Sequence, residues 1–204
     1  MIVCDNNSTD STSEIARSFG CSVVFEPINQ IARARNTGAK AATGEWLIFV
    51  DADSQPSAKL FECVSRLISS DSCLGGGSTV FMDSKTFWFR MCVSLWNWTS
   101  IVFRLAAGSF IFCKRDAFLE LNGFNQDLFV AEEIDFSSRL KKLAKKRSLK
   151  FRIIRSAPLW TSARKETLYS IREWSWFLIK ACLSPKKTMR RKDECTPWYD
   201  GRRL

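Results

Sequence analysis

The sequence contains no histidine. That excludes a Ser-His-Asp triad and a histidine-ligated zinc site, and it leaves a carboxylate as the ordinary candidate for any general base. No uninterrupted apolar run reaches the length of about 18 residues that a membrane span needs. The nearest approach, FWFRMCVSLWNWTSIVF at 87–103, is broken by Arg90 and Asn97. The eight cysteines form no CxxC pair and several sit inside apolar runs, so they read as reduced core thiols rather than disulfides or a metal site. Nothing in the first residues resembles a secretory signal. Together these features set the expectation of a cytoplasmic protein. Internal repeats, low-complexity linkers and recognisable nucleic-acid motifs are also missing, so nucleic acid is not an expected partner.

What is present is an ordinary globular composition. The chain has 204 residues, 46% hydrophobic and 25% charged, enough for one domain with a real core. Its formal net charge is +10 and is concentrated in KKLAKKR at 141–147 and KKTMRRK at 186–192. Those runs read as a solvated helix face and a basic tail, or as contacts with an anionic membrane surface. The expected organisation is a domain over 1–183 and a basic tail over 184–204.

Strand and helix patterns alternate through the first half. IVC at 2–4 and SVVF at 22–25 read as strands; Ser11 and Glu14 have the spacing of a capping box, and Gly20 stops the intervening helix. Ile28, Ile31, Ala32, Arg35, Ala39 and Ala42 recur at helical spacing, and Gly44 ends that helix. WLIFV at 46–50 is a continuous apolar strand, expected to be buried on both faces. A helix follows Pro56, GGGST at 75–79 reads as a turn into a strand at 78–82, and 87–103 as an amphipathic helix. GSFIFC at 108–113 and KFRIIR at 150–155 are further strands. Between them Phe136, Leu140, Leu143 and Ala144 predict the buried face of a helix, and 164–183 reads as a last helix. Alternation of this kind predicts an α/β fold with a mostly parallel central sheet flanked by helices. Ligands of such sheets bind beyond the carboxyl ends of the strands, where Asp5 ends one strand and Asp51 and Asp53 end another.

Two ionised carboxylates about 6 Å apart repel by roughly 3 kcal/mol at an effective dielectric near 20. The pair in LIFVDADSQP therefore asks for a positive charge. Hard oxygen ligands in this number suit Mg²⁺ or Mn²⁺, which fill the rest of their coordination with phosphate oxygens and water.

Three stretches in order, IVCDNNSTDST, ARARNTGAKAATGEWLIFVDADSQP and GSFIFCKRDAFLELNGFNQDLFVAEEIDFSSRL, resemble the family 2 glycosyltransferases of the GT-A fold. The resemblance covers about residues 2–155; PLWTSARK at 158–165 is similar to a subgroup of small bacterial members. It implies an inverting transfer of a sugar from a UDP- or GDP-sugar donor to an acceptor hydroxyl. It assigns Asp5, Asn6, Arg35, Asn36 and Asp51 to the nucleotide side and Asp51 and Asp53 to a Mg²⁺ or Mn²⁺ ion. One of Glu132, Glu133 and Asp135 becomes the catalytic base, with Glu133 standing where members usually carry Asp. The acceptor is unspecified, with a lipid-linked molecule or a polysaccharide both compatible.

Family members begin with one more strand than this chain. The expectation that follows is an N-terminally truncated sheet with an unfilled position, whose open edge offers a route to oligomers. The competing reading is a catalytically inactive domain that binds nucleotide or membrane. Peripheral membrane contact is expected, if anywhere, at 87–103 and around Trp174.

Overall fold

The computed structural model describes residues 1–84 and 86–200. The first half runs β1 (Ile2–Asp5), α1 (Thr12–Ser18), β2 (Ser22–Phe25), α2 (Ile31–Ala41), β3 (Trp46–Val50), β4 (Ser54–Gln55), α3 (Ala58–Ser69), β5 (Cys73–Phe81) and α4 (Phe87–Phe103). The second runs β6 (Phe110–Lys114), α5 (Arg115–Glu120), α6 (Glu132–Lys146), β7 (Lys150–Thr161), α7 (Arg164–Leu168), α8 (Ile171–Leu183), α9 (Pro185–Arg190) and α10 (Thr196–Tyr199).

The α/β class holds, with a central sheet between helices. The sheet itself is mixed rather than mostly parallel. Five strands lie in the order β3-β6-β5-β7-β4, and of their pairings only β5 with β7 is parallel. β1 and β2 pair in parallel as a separate two-stranded sheet. β3 is consequently an edge strand. Its residues alternate, Leu47 buried and Ile48 and Val50 exposed, where its uniform apolarity predicted burial on both faces.

The packing follows from the two-residue period of β6. Ile111 and Cys113 face one side and join Ala32 and Ala39 of α2, Phe118 of α5, and Phe136, Leu140, Leu143 and Ala144 of α6. Phe110 and Phe112 face the other and join Leu60 and Val64 of α3 with Leu159 of β7. The four α6 residues expected to be buried are all in the core. Gly75, Gly76 and Gly77, read as a turn, instead lie in the middle of β5. A Cβ there would come within 2.5 Å of the Phe112 carbonyl oxygen, 1.9 Å of the Arg152 carbonyl oxygen and 2.6 Å of the Ala106 Cβ, respectively. The glycines therefore mark close backbone approach, not a bend.

Three local expectations also change. Ser11 makes no capping bond to α1; Ser13 nearby donates its hydroxyl to Asp5 instead. The helix read over 164–183 is interrupted, and Ser170 with Glu173 forms the capping box of α8. The segment after Ser184, read as a tail, is largely helical as far as Tyr199. Tyr199 donates its hydroxyl to the Phe129 carbonyl at 2.9 Å and accepts from the Ile31 amide at 3.2 Å. Among the described residues no helix is long and apolar enough to cross a membrane, and the described cysteines are free.

Candidate active site

β3 delivers Asp51 and Asp53 to one wall of a cavity of about 560 Å³. α6 supplies the opposite wall with Glu132 and Glu133, and α2 adds Ile31 and Arg35. Gly108 and Ser109, leading into β6, line it as well, with Trp96 from α4 and Trp198 from α10. A smaller depression of about 240 Å³ adjoins it at Asp53, Thr161 and Ser162.

The centre of this site is an ion cluster. The Arg35 guanidinium donates to Asp51 Oδ1 at 2.9 Å, to Glu132 Oε1 at 2.7 Å and to the Gly108 carbonyl at 2.8 Å. Its side chain is only 9% exposed. Burial works against the charge, but the carboxylates of Asp51 and Glu132 outweigh that and hold Arg35 protonated, above its ordinary value. Arg35 thus supplies part of the positive charge that the Asp51–Asp53 spacing demanded. Gly108 packs closely against this cluster: a Cβ there would sit 3.2 Å from Arg35 Nη2 and 3.4 Å from Glu133 Cγ.

The two glutamates differ. Glu132 is tied to Arg35, and burial raises its pKa against that guanidinium's pull. Glu133 forms no ion pair among the described residues. Burial first, and then the neighbouring charge of Glu132, raise it to about 8. A carboxylate with a pKa near neutrality is matched to proton transfer. Both follow Ala131, whose backbone is left-handed at φ 64°, a strained conformation for a residue with a Cβ. Acidic groups at the first turn suit the dipole of α6.

The remaining residues named from the sequence lie elsewhere. Asp135 pairs with Arg139 at 2.7 Å one turn along α6. Asn36 is buried; its amide donates to the Phe124 carbonyl at 2.8 Å and accepts from the Phe124 amide at 2.9 Å, which uses it to fix the turn at 122–124. Asp5 accepts from the Ser8 amide at 2.9 Å and from Ser13, whose hydroxyl, with Ser8, holds its pKa low. Asn6 donates to the carbonyls of Glu26 and Ile28 and accepts from the Gln30 amide. Asp5 and Asn6 therefore organise the end of the β1–β2 sheet and are not part of the cavity wall. The sequence reading named Trp96 only as one of the aromatic residues of 87–103, and it did not name Trp198. An aromatic pair, Trp198-Tyr199, inside an otherwise basic run was the available sign that the last segment returns to the body.

The donor set fits a divalent cation that keeps some water. Asp51 has Oδ2 left after its bond to Arg35, and Asp53 forms no ion pair among the described residues. No cluster of three or more metal-ligating side chains occurs among them. Arg35 and Arg164 line the cavity together with Asp51, Asp53, Glu132 and Glu133, and a divalent cation would add the positive charge that a bound diphosphate needs there.

Residues 1–121 match the sequence profile described as Glycosyl transferase family 2. The chain belongs to that family. A search of curated proteins by sequence found no significant match. Among solved structures, the fold is similar to S. aureus TarS residues 1–349 in complex with UDP-GlcNAc, with a TM-score of 0.62 and 14% identity over 91% of this chain and 56% of that one. It is similar to the mannosyltransferase PcManGT from Pyrobaculum calidifontis in complex with GDP-Man and Mn²⁺, at 0.57 and 17% over 99% and 58%. It is also similar to the Mycobacterium tuberculosis glucosyl-3-phosphoglycerate synthase in complex with Mn²⁺, UDP-glucose and phosphoglyceric acid, at 0.58 and 18% over 91% and 68%. The chain spans little more than half the length of the TarS and PcManGT chains. At these identities the likeness concerns the fold, and in a family 2 chain that fold is the GT-A fold.

Proposed function

We propose that this family 2 chain is an inverting glycosyltransferase that moves a sugar from a UDP- or GDP-sugar to an acceptor hydroxyl, with Glu133 as the general base. The observation that carries the reading is the cavity in which Glu133, half-buried and with its pKa raised by its surroundings, lies with the Asp51–Asp53 pair and the Arg35 ion cluster. In this reading the acceptor oxygen attacks the anomeric carbon and forms the new C–O bond. The bond from that carbon to the donor phosphate breaks, and its electron pair leaves with the nucleoside diphosphate. The acceptor proton passes to Glu133. Glu132 is set aside as base because Arg35 occupies it, and Asp135 because Arg139 does.

Asp53 and the free oxygen of Asp51 would hold Mg²⁺ or Mn²⁺. The ion would neutralise the diphosphate as charge develops on it. Arg35 keeps Asp51 oriented, and the aromatic walls, Trp96 and Trp198, exclude water. The resemblance puts the nucleobase near the Asp5–Asn6 turn, which lies outside the cavity wall and whose side chains are bonded within that end of the β1–β2 sheet, and Asn36 supports the fold rather than the donor.

The test combines binding with turnover. UDP and GDP are titrated with and without Mn²⁺ against the wild type, Asp53→Ala and Glu133→Gln, and hydrolysis or transfer is followed with the matching nucleotide-sugars. The expected result is metal-dependent binding of one nucleotide, lost in Asp53→Ala and kept in Glu133→Gln. Turnover should fall by about a hundredfold or more in Glu133→Gln. Turnover within a few-fold of wild type in that variant would remove Glu133 from the role.

A further inference from the structure

α4 is apolar on both sides, and Ser100 is its one fully buried residue. Its inward face carries polar groups with assigned partners: Asn97 donates to the Val80 carbonyl at 2.8 Å and accepts from the Val80 amide at 2.9 Å. Ser100, fully buried, donates to the Leu105 carbonyl at 2.5 Å. Its outward face carries Phe87, Trp88, Met91, Leu95, Trp98 and Val102, all exposed, with Leu95 at 63% and Trp98 at 59%. Those positions recur at helical spacing, so they form one stripe along the whole helix. Scattered apolar side chains on a surface need no explanation, but a continuous stripe with two tryptophans does.

The charges around the stripe decide between occupants. No acidic residue occurs between Asp83 and Asp116. Arg90 projects from the exposed side of α4, Arg104 closes its C-terminus, and Lys141 of α6 donates to the Phe103 carbonyl at 2.6 Å. The chain as a whole is strongly basic. The Glu166 carboxylate sits against Ser84 and Thr86 at the start of α4, but along the stripe itself a second copy would set Arg90, Arg104 and Lys141 against like charges with no carboxylate on the helix to pair them. An anionic bilayer offers the complementary arrangement: acyl chains for the leucine and phenylalanine, the headgroup boundary for the tryptophans, and phosphate for the cations.

We propose that α4 lies in the interface of an anionic phospholipid bilayer, apolar stripe down, and holds the protein on that surface as a peripheral protein. The inward side of the same helix contributes Trp96 to the cavity, so the cavity stands about one helix diameter, roughly 10 Å, from the lipid. On the transfer reaction proposed above, an acceptor carried by a lipid would then reach the site without leaving the membrane. That extension rests on the proposed reaction; the membrane contact does not.

Co-flotation tests it. The protein is mixed with vesicles of phosphatidylglycerol in phosphatidylcholine, or of phosphatidylcholine alone, at low and high salt. The wild type is expected to float with the anionic vesicles, less so at high salt, and only weakly with the neutral ones. Leu95→Asp with Trp98→Asp should lower partitioning by about tenfold or more. Ile15→Asp, a comparably exposed apolar residue on α1, should leave it unchanged, and Arg90→Glu with Arg104→Glu should remove the preference for anionic lipid. Circular dichroism shows that each variant is folded. Failure of the folded wild type to float, or flotation of the Leu95/Trp98 variant equal to wild type, overturns the proposal. So does a wild-type dimer in sedimentation without lipid that the same variant dissociates, because a second copy would then be the occupant.

Discussion

Replacing Glu133 with glutamine should flatten the pH dependence of stability. Glu133 is raised from an ordinary 4.5 to about 8 in the folded chain. Between those two values the folded state keeps a proton that the unfolded chain has released. The unfolded state therefore binds fewer protons, and stability must fall as pH rises, by up to about 1.4 kcal/mol per pH unit. Over pH 5 to 8 the upper limit is about 4 kcal/mol. The charge is shared with Glu132 beside Arg35, and a loss of about 2–4 kcal/mol is the corresponding expectation for the wild type. The absence of histidine makes this window unusually clear, and burial raises Cys4, Cys73, Cys113 and Cys195 away from it. Urea unfolding at a series of pH values, followed by tryptophan fluorescence with the m-value checked for constancy, measures the effect. Glu133→Gln should match the wild type at pH 5 and exceed it increasingly toward pH 8. Groups common to both proteins cancel in the difference. Two parallel curves would refute the reasoning, since a carboxyl that titrates alike in both states contributes no slope.

Two other perturbations follow from the packing. Asn36→Leu leaves the buried amide and carbonyl of Phe124 without their partners, so thermal or urea unfolding should show a loss of about 2–4 kcal/mol, while any nucleotide affinity of the protein that remains folded should stay near wild type. Gly76→Ala places a Cβ 1.9 Å from the Arg152 carbonyl oxygen, which the β5–β7 ladder cannot absorb without shifting backbone; expression and circular dichroism should show loss of the folded state or destabilisation beyond about 3 kcal/mol.

Much of the site was legible because strand-end aspartates and helix-start glutamates announce themselves locally. LIFVDADSQP gave an apolar strand and its polar end, and Phe136, Leu140, Leu143 and Ala144 gave the face that aims Glu132 and Glu133 inward. The pairing of strands was not legible. β3 reads like a strand covered on both faces, yet its position at the sheet edge is fixed by partners distant in sequence. Glycines at 75–77 carry the same local signature whether they bend a chain or let two backbones touch. Arg35 was visible as part of an ARN stretch, but only the fold brings its guanidinium between Asp51 and Glu132. Asn36 was adjacent to it and looked equivalent; one residue of helical rotation, about 100°, turns it to the Phe124 turn instead. The outward stripe of α4 was legible as an amphipathic pattern, though not which side would face the protein.

The isolation of β1 and β2 from the main sheet has a mechanical consequence. No ladder joins them to β3, and α2 stands between the two parts. The Gln30 amide, at the start of α2, is held by Asn6, and the Gln30 side chain grips the carbonyls of Gln126 and Leu128 at 2.7 and 2.9 Å. Thr37 donates to Glu26 at 2.8 Å. Farther round the same rod, Asn36 is pinned to Phe124 and Arg35 to its carboxylates. A ligand that drew the Asn6 turn inward would load the start of α2, a stiff rod of about 16 Å, and the load would reach the ion pairs of Arg35 with Asp51 and Glu132, midway along it, as a tilt rather than as strain spread through a sheet. Amide exchange would register this as β1 and β2 opening together, apart from β3 and β6. Occupancy at the start of the rod and charge balance midway along it would be a single degree of freedom.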